Sequence, residues 1–331
     1  MQYKRIGILI KEGTSMLQKF IVVASIAVAT LLSAVPAAAA TFAVVNLDGS
    51  LASGSSDVQS VTYIGTGQYE VTFTNAVNNC AYVATTTNAY SQALQVFTAG
   101  GHFSANGVYV ETKNQGGGLT DGPFNLVVDC GGVGMQYAVV GYSANLVRSS
   151  PGTTLTPLGS GRYNVNFPSP VGACAYIATV GDPGNALVFS PSAVYTGSGT
   201  GAGTVYIETK NPGGGLQDGV PFHLAVICPN AAQTYVLVVK QGGFPQRGSA
   251  LTASFESSTG EHTIVTSADV SACATVATRG SVDTSVPFDP ATVEIVGGFA
   301  NNTIGVEVRG LLAFGGNVAD ESVHVAIACG P

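Results

Sequence analysis

The chain has 331 residues, of which 12 are basic and 19 acidic, with 43 glycines and no tryptophan. A formal charge of −7 with so few Lys and Arg argues against nucleic acid or an anionic membrane surface as a partner, because both are recognised through basic side chains. Charged residues are only 9% of a chain rich in Gly, Ser, Thr, Ala and Val, a balance that excludes disorder and points to sheet joined by Gly-rich turns.

Residues 1–40 read as a removable leader. Phe20 to Val35 is an apolar run behind Lys19, and it ends in Pro36 and four alanines, the layout of a signal peptide with an A-x-A cleavage site. The run is shorter than the ~20 apolar residues a helix needs to span a bilayer. Met16 is a candidate true start, and the mature chain is expected to begin near Thr41. The remaining 291 residues then carry 8 basic and 18 acidic side chains, a net charge of −10.

Beyond the leader, the chain repeats itself. In residues 41–134 the segments FAVVN (from Phe42), GTGQYEVTF (65–73), NCAYVAT (79–85), VYVETKNQGGG (108–118) and GPFNLVVDC (122–130) follow one another. Residues 135–232 carry the same series as YAVVG (from Tyr137), GSGRYNVNF (159–167), ACAYIAT (173–179), VYIETKNPGGG (205–215) and VPFHLAVIC (220–228). Nine of the eleven positions in the ETKN segment are identical. Residues 233–331 hold a diverged copy: YVLVV (from Tyr235), TGEHTIV (259–265), ACATVAT (272–278), IGVEVRG (304–310) and SVHVAIAC (322–329). Such internal periodicity marks a modular fold.

Within a copy the apolar period is two. Tyr69, Val71 and Phe73 alternate with Gln68, Glu70 and Thr72, as in a strand with one face on a core. The last strand places Phe222, Leu224 and Val226 on one side and His223, Ala225 and Ile227 on the other. The predicted fold is all-β: three tandem immunoglobulin-like or similar β-sandwich modules of about seven strands, with a small barrel as the alternative. The six residues between Cys130 and Tyr137, and between Cys228 and Tyr235, suggest adjacent modules in a semi-rigid rod.

Each copy contributes two cysteines at equivalent places. Of fifteen possible pairings the repeat selects Cys80–Cys130, Cys174–Cys228 and Cys273–Cys329. An exported chain meets oxidising conditions that preserve such bonds. Zinc is disfavoured, since there is neither a C-x-x-C nor an H-x-x-x-H.

The polar residues give no catalytic constellation. His223 and His324 are equivalent to Asn125 and are read as polar residues on an outer strand face; His262 replaces Tyr69 and Tyr163 at a half-buried position, and His102 stands alone. Glu111, Glu208 and Glu307 recur on one strand, and Asp121, Asp218 and Asp320 recur before the last strand. Glu111 with Asp121, and Glu208 with Asp218, are therefore candidate calcium ligands. The structural alternative pairs each Glu with Lys113 or Lys210 and uses each Asp to cap a turn. Gly197 to Gly203 leads into a strand, so it is a turn and not a phosphate loop. Asn301-Asn302-Thr303 is a glycosylation sequon. Tyr90, Tyr142 and Tyr195 are candidate surface aromatics for a sugar, though they do not recur at matching positions.

The series GxYxVxF, CAYxAT, VETKN and PFxLxVxC resembles a repeat module of exported bacterial proteins to which no activity is attached. The resemblance implies a bacterial, extracellular origin and agrees with the disulfide pairing. The expected role is an exported structural or adhesive surface protein without catalytic activity or cofactor, located outside the cell or in the periplasm. A carbohydrate- or calcium-binding array is the alternative. The sequence ends two residues after Cys329 without an apolar tail, so self-association or a cell-surface or glycan partner is expected to provide attachment.

Overall fold

The computed structural model describes residues 40–87, 93–187, 191–229, 234–249, 252–256, 261–282, 291–297, 300–310 and 320–330. Residues 1–39, which carry the leader expected from the sequence, lie outside them, as does Tyr90. The described residues contain strands and no helix.

The first module has eight strands: β1 (Thr41–Val45), β2 (Leu51–Gly54), β3 (Val58–Gly65), β4 (Gln68–Phe73), β5 (Ala81–Thr87), β6 (Gln95–Gly100), β7 (Gly107–Lys113) and β8 (Phe124–Asp129). They form two antiparallel layers, β2-β1-β8-β5 and β3-β4-β7-β6. The second module repeats this with β9 (Met135–Val140), β10 (Leu146–Ser149), β11 (Thr154–Gly159), β12 (Arg162–Asn166), β13 (Ala175–Val180), β14 (Ala193–Ser198), β15 (Thr204–Lys210) and β16 (Phe222–Ile227). The third does so with β17 (Thr234–Lys240), β18 (Phe244–Gly248), β19 (Thr252–Glu256), β20 (Glu261–Val265), β21 (Ala274–Arg279), β22 (Ala291–Gly297), β23 (Thr303–Gly310) and β24 (Val323–Ala328). Each sandwich thus has one strand more than the sequence pattern suggested, because the short strands β2, β10 and β18 follow their neighbours after tight turns.

Alternation builds each core. Tyr69, Val71 and Phe73 on β4 meet Phe124, Leu126 and Val128 on β8, and Tyr163, Val165 and Phe167 meet Phe222, Leu224 and Val226 in the second module. Fully burying one such side chain contributes about 1.5–3 kcal/mol.

The disulfides are Cys80–Cys130, Cys174–Cys228 and Cys273–Cys329. Each lies just beyond a pair of neighbouring antiparallel strands, since Ala81 pairs with Asp129, Ala175 with Ile227 and Ala274 with Ala328. Their Cα separations of 4.2, 4.0 and 4.4 Å are close to the narrow pairs of an antiparallel ladder. The bonds therefore clamp strand ends within one sheet, whereas an immunoglobulin disulfide crosses between the two sheets. Closing loops of 50, 54 and 56 residues is worth about 4 kcal/mol each on the chain-entropy account.

The rod expected from the short connections is not what forms. Residues Ala37–Pro331 make a single compact unit in which the modules close on one another. The edge of β6 meets the end of β13 at Thr98 and Gly181, the edge of β14 meets β21 at Thr196 and Gly280, and β22 pairs in parallel with β5 at Glu294–Thr86 and Ile295–Thr87. Module one therefore contacts two, two contacts three, and three returns to one. A six-residue joint sets reach but not direction, and apolar inner faces decide the direction. Val83, Ala175, Ile177, Ala225, Ile227, Ala274, Val276 and Ala326 come from all three modules and share a central core. This is why β5, β8, β13, β16, β21 and β24 are buried on both faces.

Candidate functional site: the joints around the shared core

The polar chemistry of the chain is concentrated where the modules meet. In the CAYxAT strands, the last Thr of each module reaches the preceding module. Thr179 Oγ1 accepts from Ala84 N at 2.9 Å and donates to Ala84 O at 3.1 Å. Thr278 does the same to Ala178 at 2.8 and 3.0 Å, and Thr85 closes the cycle on Ala277 at 2.8 and 3.1 Å. A buried hydroxyl can satisfy one donor and one acceptor at once, which a strand edge without a full ladder requires.

His223 and His324 are not on an outer face, as the alternation suggested; both have 0% exposure. That face of β16 and β24 is covered by the neighbouring module. His223 Nδ1 accepts from Tyr82 N at 2.9 Å, which leaves Nε2 to donate to Asp182 O at 3.0 Å. His324 accepts from Tyr176 N at 3.0 Å and donates to Ser281 O at 3.1 Å. The bonding fixes the neutral Nε2–H tautomer. Burial first, and then the charge of Arg148 or Arg247, pushes each pKa down to about 3.

The same two joints share an aromatic ring and an arginine. Tyr82 stacks on His223 with centroids 4.9 Å apart, and the Arg148 guanidinium lies 5.3 Å from the Tyr82 ring while its Nε donates to Cys80 O at 2.8 Å. Arg148 also donates to Pro183 O. At the next joint Tyr176 stacks on His324 at 4.9 Å, with Arg247 over Tyr176 at 4.6 Å and bonded to Gly172 O at 2.8 Å. These joints also need glycine. A Cβ on Gly181 would sit 2.6 Å from the Thr98 carbonyl, and one on Gly280 2.5 Å from the Thr196 carbonyl.

The joint from module three back to module one has other residues at every one of these places. Thr275 replaces the Tyr, Asn125 the His, Ser53 the Arg and Thr87 the Gly, as the strand registers show. Asn125 Nδ2 donates to Thr275 O at 2.8 Å, and Ser53 Oγ donates to Ala272 O.

A cavity of about 80 Å³ opens between the modules, lined in part by Thr85, Thr179, Thr278, Gln95, Thr292 and Arg279. Arg279 pairs with Glu321 at 2.6 Å. Among the described residues Gln95 Oε1 and Thr292 Oγ1 find no hydrogen-bond partner.

The calcium candidates serve local structure. Glu111 pairs with Lys113 at 2.7 Å and accepts from Tyr109 at 3.0 Å; Glu208 pairs with Lys210 at 3.2 Å and accepts from Tyr206 at 2.9 Å. Asp121 accepts from Gly67 N and Asp218 from Gly161 N, both at 2.6 Å, in turns where the glycines take φ of +66° and +69°. Glu307 bonds to Arg309, and Asp320 accepts from Gly242 N at 2.8 Å. The ETKN loops are held by Asn114, which accepts from Gly116 N and Gly118 N at 2.9 and 3.0 Å, and by Asn211 in the same way. Among the described residues no group of three or more His, Cys, Asp or Glu is placed to hold a metal ion.

The other singled-out residues fall as follows. His102 is exposed and stacks on Tyr109 at 3.8 Å. His262 is fully buried and not half-buried, with Nε2 bonded to Glu321 O at 2.9 Å and its pKa lowered by burial. Tyr142 is exposed, but Tyr195 is buried at a joint, where its hydroxyl accepts from Ala291 N at 3.0 Å. It is therefore not a surface aromatic. Of Gly197 to Gly203, Gly197 and Ser198 end β14 and the remaining residues form the turn into β15; Asn301 of the sequon is exposed in the turn before β23.

Sequence reasoning missed Arg148, Arg247 and Asp129. Asp129 is wholly buried at the end of β8, where the second module has Ile227; one oxygen accepts from Gly131 N at 2.7 Å and the other finds no partner among the described residues. Burial raises its pKa to about 7. The signal for the two arginines was present: Arg148 and Arg247 share one position after the opening strand in a chain with few basic residues.

Compared with protein-family models, with curated proteins and with solved structures, the chain finds no match in any of the three.

Proposed function

We propose that this protein is an exported structural or adhesive component of a bacterial surface, matrix or appendage, with no catalytic activity of its own. One observation supports this reading above others: the buried histidines His223 and His324, together with Arg148, Arg247 and Thr85, Thr179 and Thr278, are engaged in holding modules together. A general base at pH 7 needs a pKa near neutrality and an open lone pair. His223 and His324 have neither.

Three disulfides fit an extracellular or periplasmic compartment. Among the described residues no helix is long and apolar enough to cross a membrane. The leader-like first forty residues and the resemblance to exported repeat modules point the same way. Electron microscopy of secreted native material, paired with binding to whole cells and a glycan array, tests the proposal. Filaments, sheets or cell binding are expected. Dispersed particles that bind neither cells nor glycans, or a turnover activity, would overturn it.

A further inference from the structure

We infer that module one is exchangeable between copies of this chain, so that the partner of its joint faces is the same pair of faces in a second copy. The inference rests on the joints and not on the exported, structural role proposed above.

Three observations carry it. Module one is held covalently only through Gly131-Gly132-Val133-Gly134, in which the three glycines take φ of +80°, +144° and +76°. A Cβ on Gly132 would meet nothing within 4 Å, and the backbone bonds of this segment, from Met135 N to Gly132 O and from Cys228 N to Gly134 O, lie on the module-two side of the hinge. Glycines in this backbone region turn the chain without side-chain strain.

The contact of module three with module one has no covalent tether, although the first and last strands of the described residues come close there; a Cβ on Gly330 would lie 3.8 Å from the Phe42 ring. It also lacks the tyrosine, histidine and arginine that mark the other joints. Among the described residues its side-chain hydrogen bonds include those of Asn125, Ser53 and Thr85, beside the short parallel pairing of β22 with β5.

The vacated place accepts one kind of occupant. Gly181 and Gly280 leave space for a Thr carbonyl and a His ring, whereas module one presents Thr87 and Asn125 at those positions. Module one therefore matches the β22 edge of module three and, through Tyr82, the His223–Arg148 face of module two. No other module has both matches. Each joint is heterologous, with different surfaces on its two sides, so a second copy reproduces it without new contacts. Exchange of module one through the glycine hinge gives a dimer in which every joint is the one already described.

Equal amounts of isotopically heavy and light full-length chain, with disulfides intact, should be unfolded together, refolded at high concentration and examined by native mass spectrometry. Mixed heavy–light dimers are expected, with the monomer's circular dichroism and three intramolecular disulfides in each chain. When separately folded heavy and light chains are mixed at high concentration instead, Asn125→Ala and His223→Asn, which loosen the two joints of module one and so speed its opening, should each raise the rate of mixed-dimer formation several-fold. His324→Asn, which loosens the joint between modules two and three, should not. Monomer alone in the wild type and both variants would overturn the inference. An equal rise with His324→Asn, or dimers with scrambled disulfides or altered circular dichroism, would do so too.

Discussion

Two joints of this protein are clasped by aromatic rings and arginines, and the third is closed by small polar residues and a longer backbone ladder. Between modules one and two, and again between two and three, a tyrosine ring lies against a histidine and an arginine of the next module, and a glycine lets the strands approach. Between modules three and one the same four positions hold Thr275, Asn125, Ser53 and Thr87, and β22 adds to β5 as a parallel strand at two residue pairs. The substitutions are mutually consistent. A histidine ring beside the strand end demands glycine opposite; the smaller asparagine leaves room for a threonine side chain. The same docking geometry is thus reached either with buried rings and a neutral imidazole or with small polar residues and a longer ladder.

That difference predicts a graded response to mutation. Tyr176→Ala should be the most damaging change, at about 3–5 kcal/mol in denaturant unfolding with disulfides intact, because it leaves a cavity beside His324 and Arg247. Thr275→Ala, at the equivalent position of the third joint, should cost about 1 kcal/mol or less. Equal losses would erase the distinction between the joints.

Acid should act on the two clasped joints and not on the third, which has no histidine at the equivalent position. The folded-state pKa of His223 and His324 is about 3, below the ordinary value of 6.5. The unfolded chain therefore binds protons that the folded chain refuses, and stability present above pH 6.5 falls as pH drops toward 3. The slope is about 1.4 kcal/mol per pH unit for each histidine. The double variant His223→Asn and His324→Asn should flatten this limb of the unfolding profile. An unchanged slope would show that the imidazoles are not the titrating groups.

Asp129 should oppose them. Its folded pKa is raised to about 7, so its unfavourable contribution is absent below about pH 4 and grows as pH rises toward 7. Asp129→Ile, which installs the second module's residue, should raise stability by about 2–4 kcal/mol at pH 8 and by much less at pH 4. Melting curves at the two pH values check the sign. A modest effect belongs to the turns: Asp121→Ala should cost about 1–2 kcal/mol through its lost bond to Gly67 N, equally with and without added calcium. A calcium-dependent melting shift that this variant abolishes would return Asp121 to the role of a metal ligand.

Much of a single module could be read from the chain. Alternation at Tyr69, Val71 and Phe73 located a core strand, and the recurrence of Cys80 and Cys130 in every copy pointed to their pairing. The roles of Glu111 and Asp121 were open between a metal and a turn, since spacing alone does not say where a loop folds back. The joints were the least readable part. His223 alternates with Phe222 and Leu224 as a solvent-facing residue would, and nothing local distinguishes water from a neighbouring module. The covariation of Tyr, His, Arg and Gly across the copies was in the sequence all along, but it acquires meaning only once the strands that carry them are adjacent.

By itself the sequence determined the β period, the repeated modules and the turn chemistry of Gly67 and Gly161, because these depend on neighbours within a few residues or on one strand pair. Only the tertiary structure decided that three modules close on one another and do not extend as a rod. That choice depends on burying the second apolar face of β5, β13 and β21, a term summed over residues about a hundred positions apart.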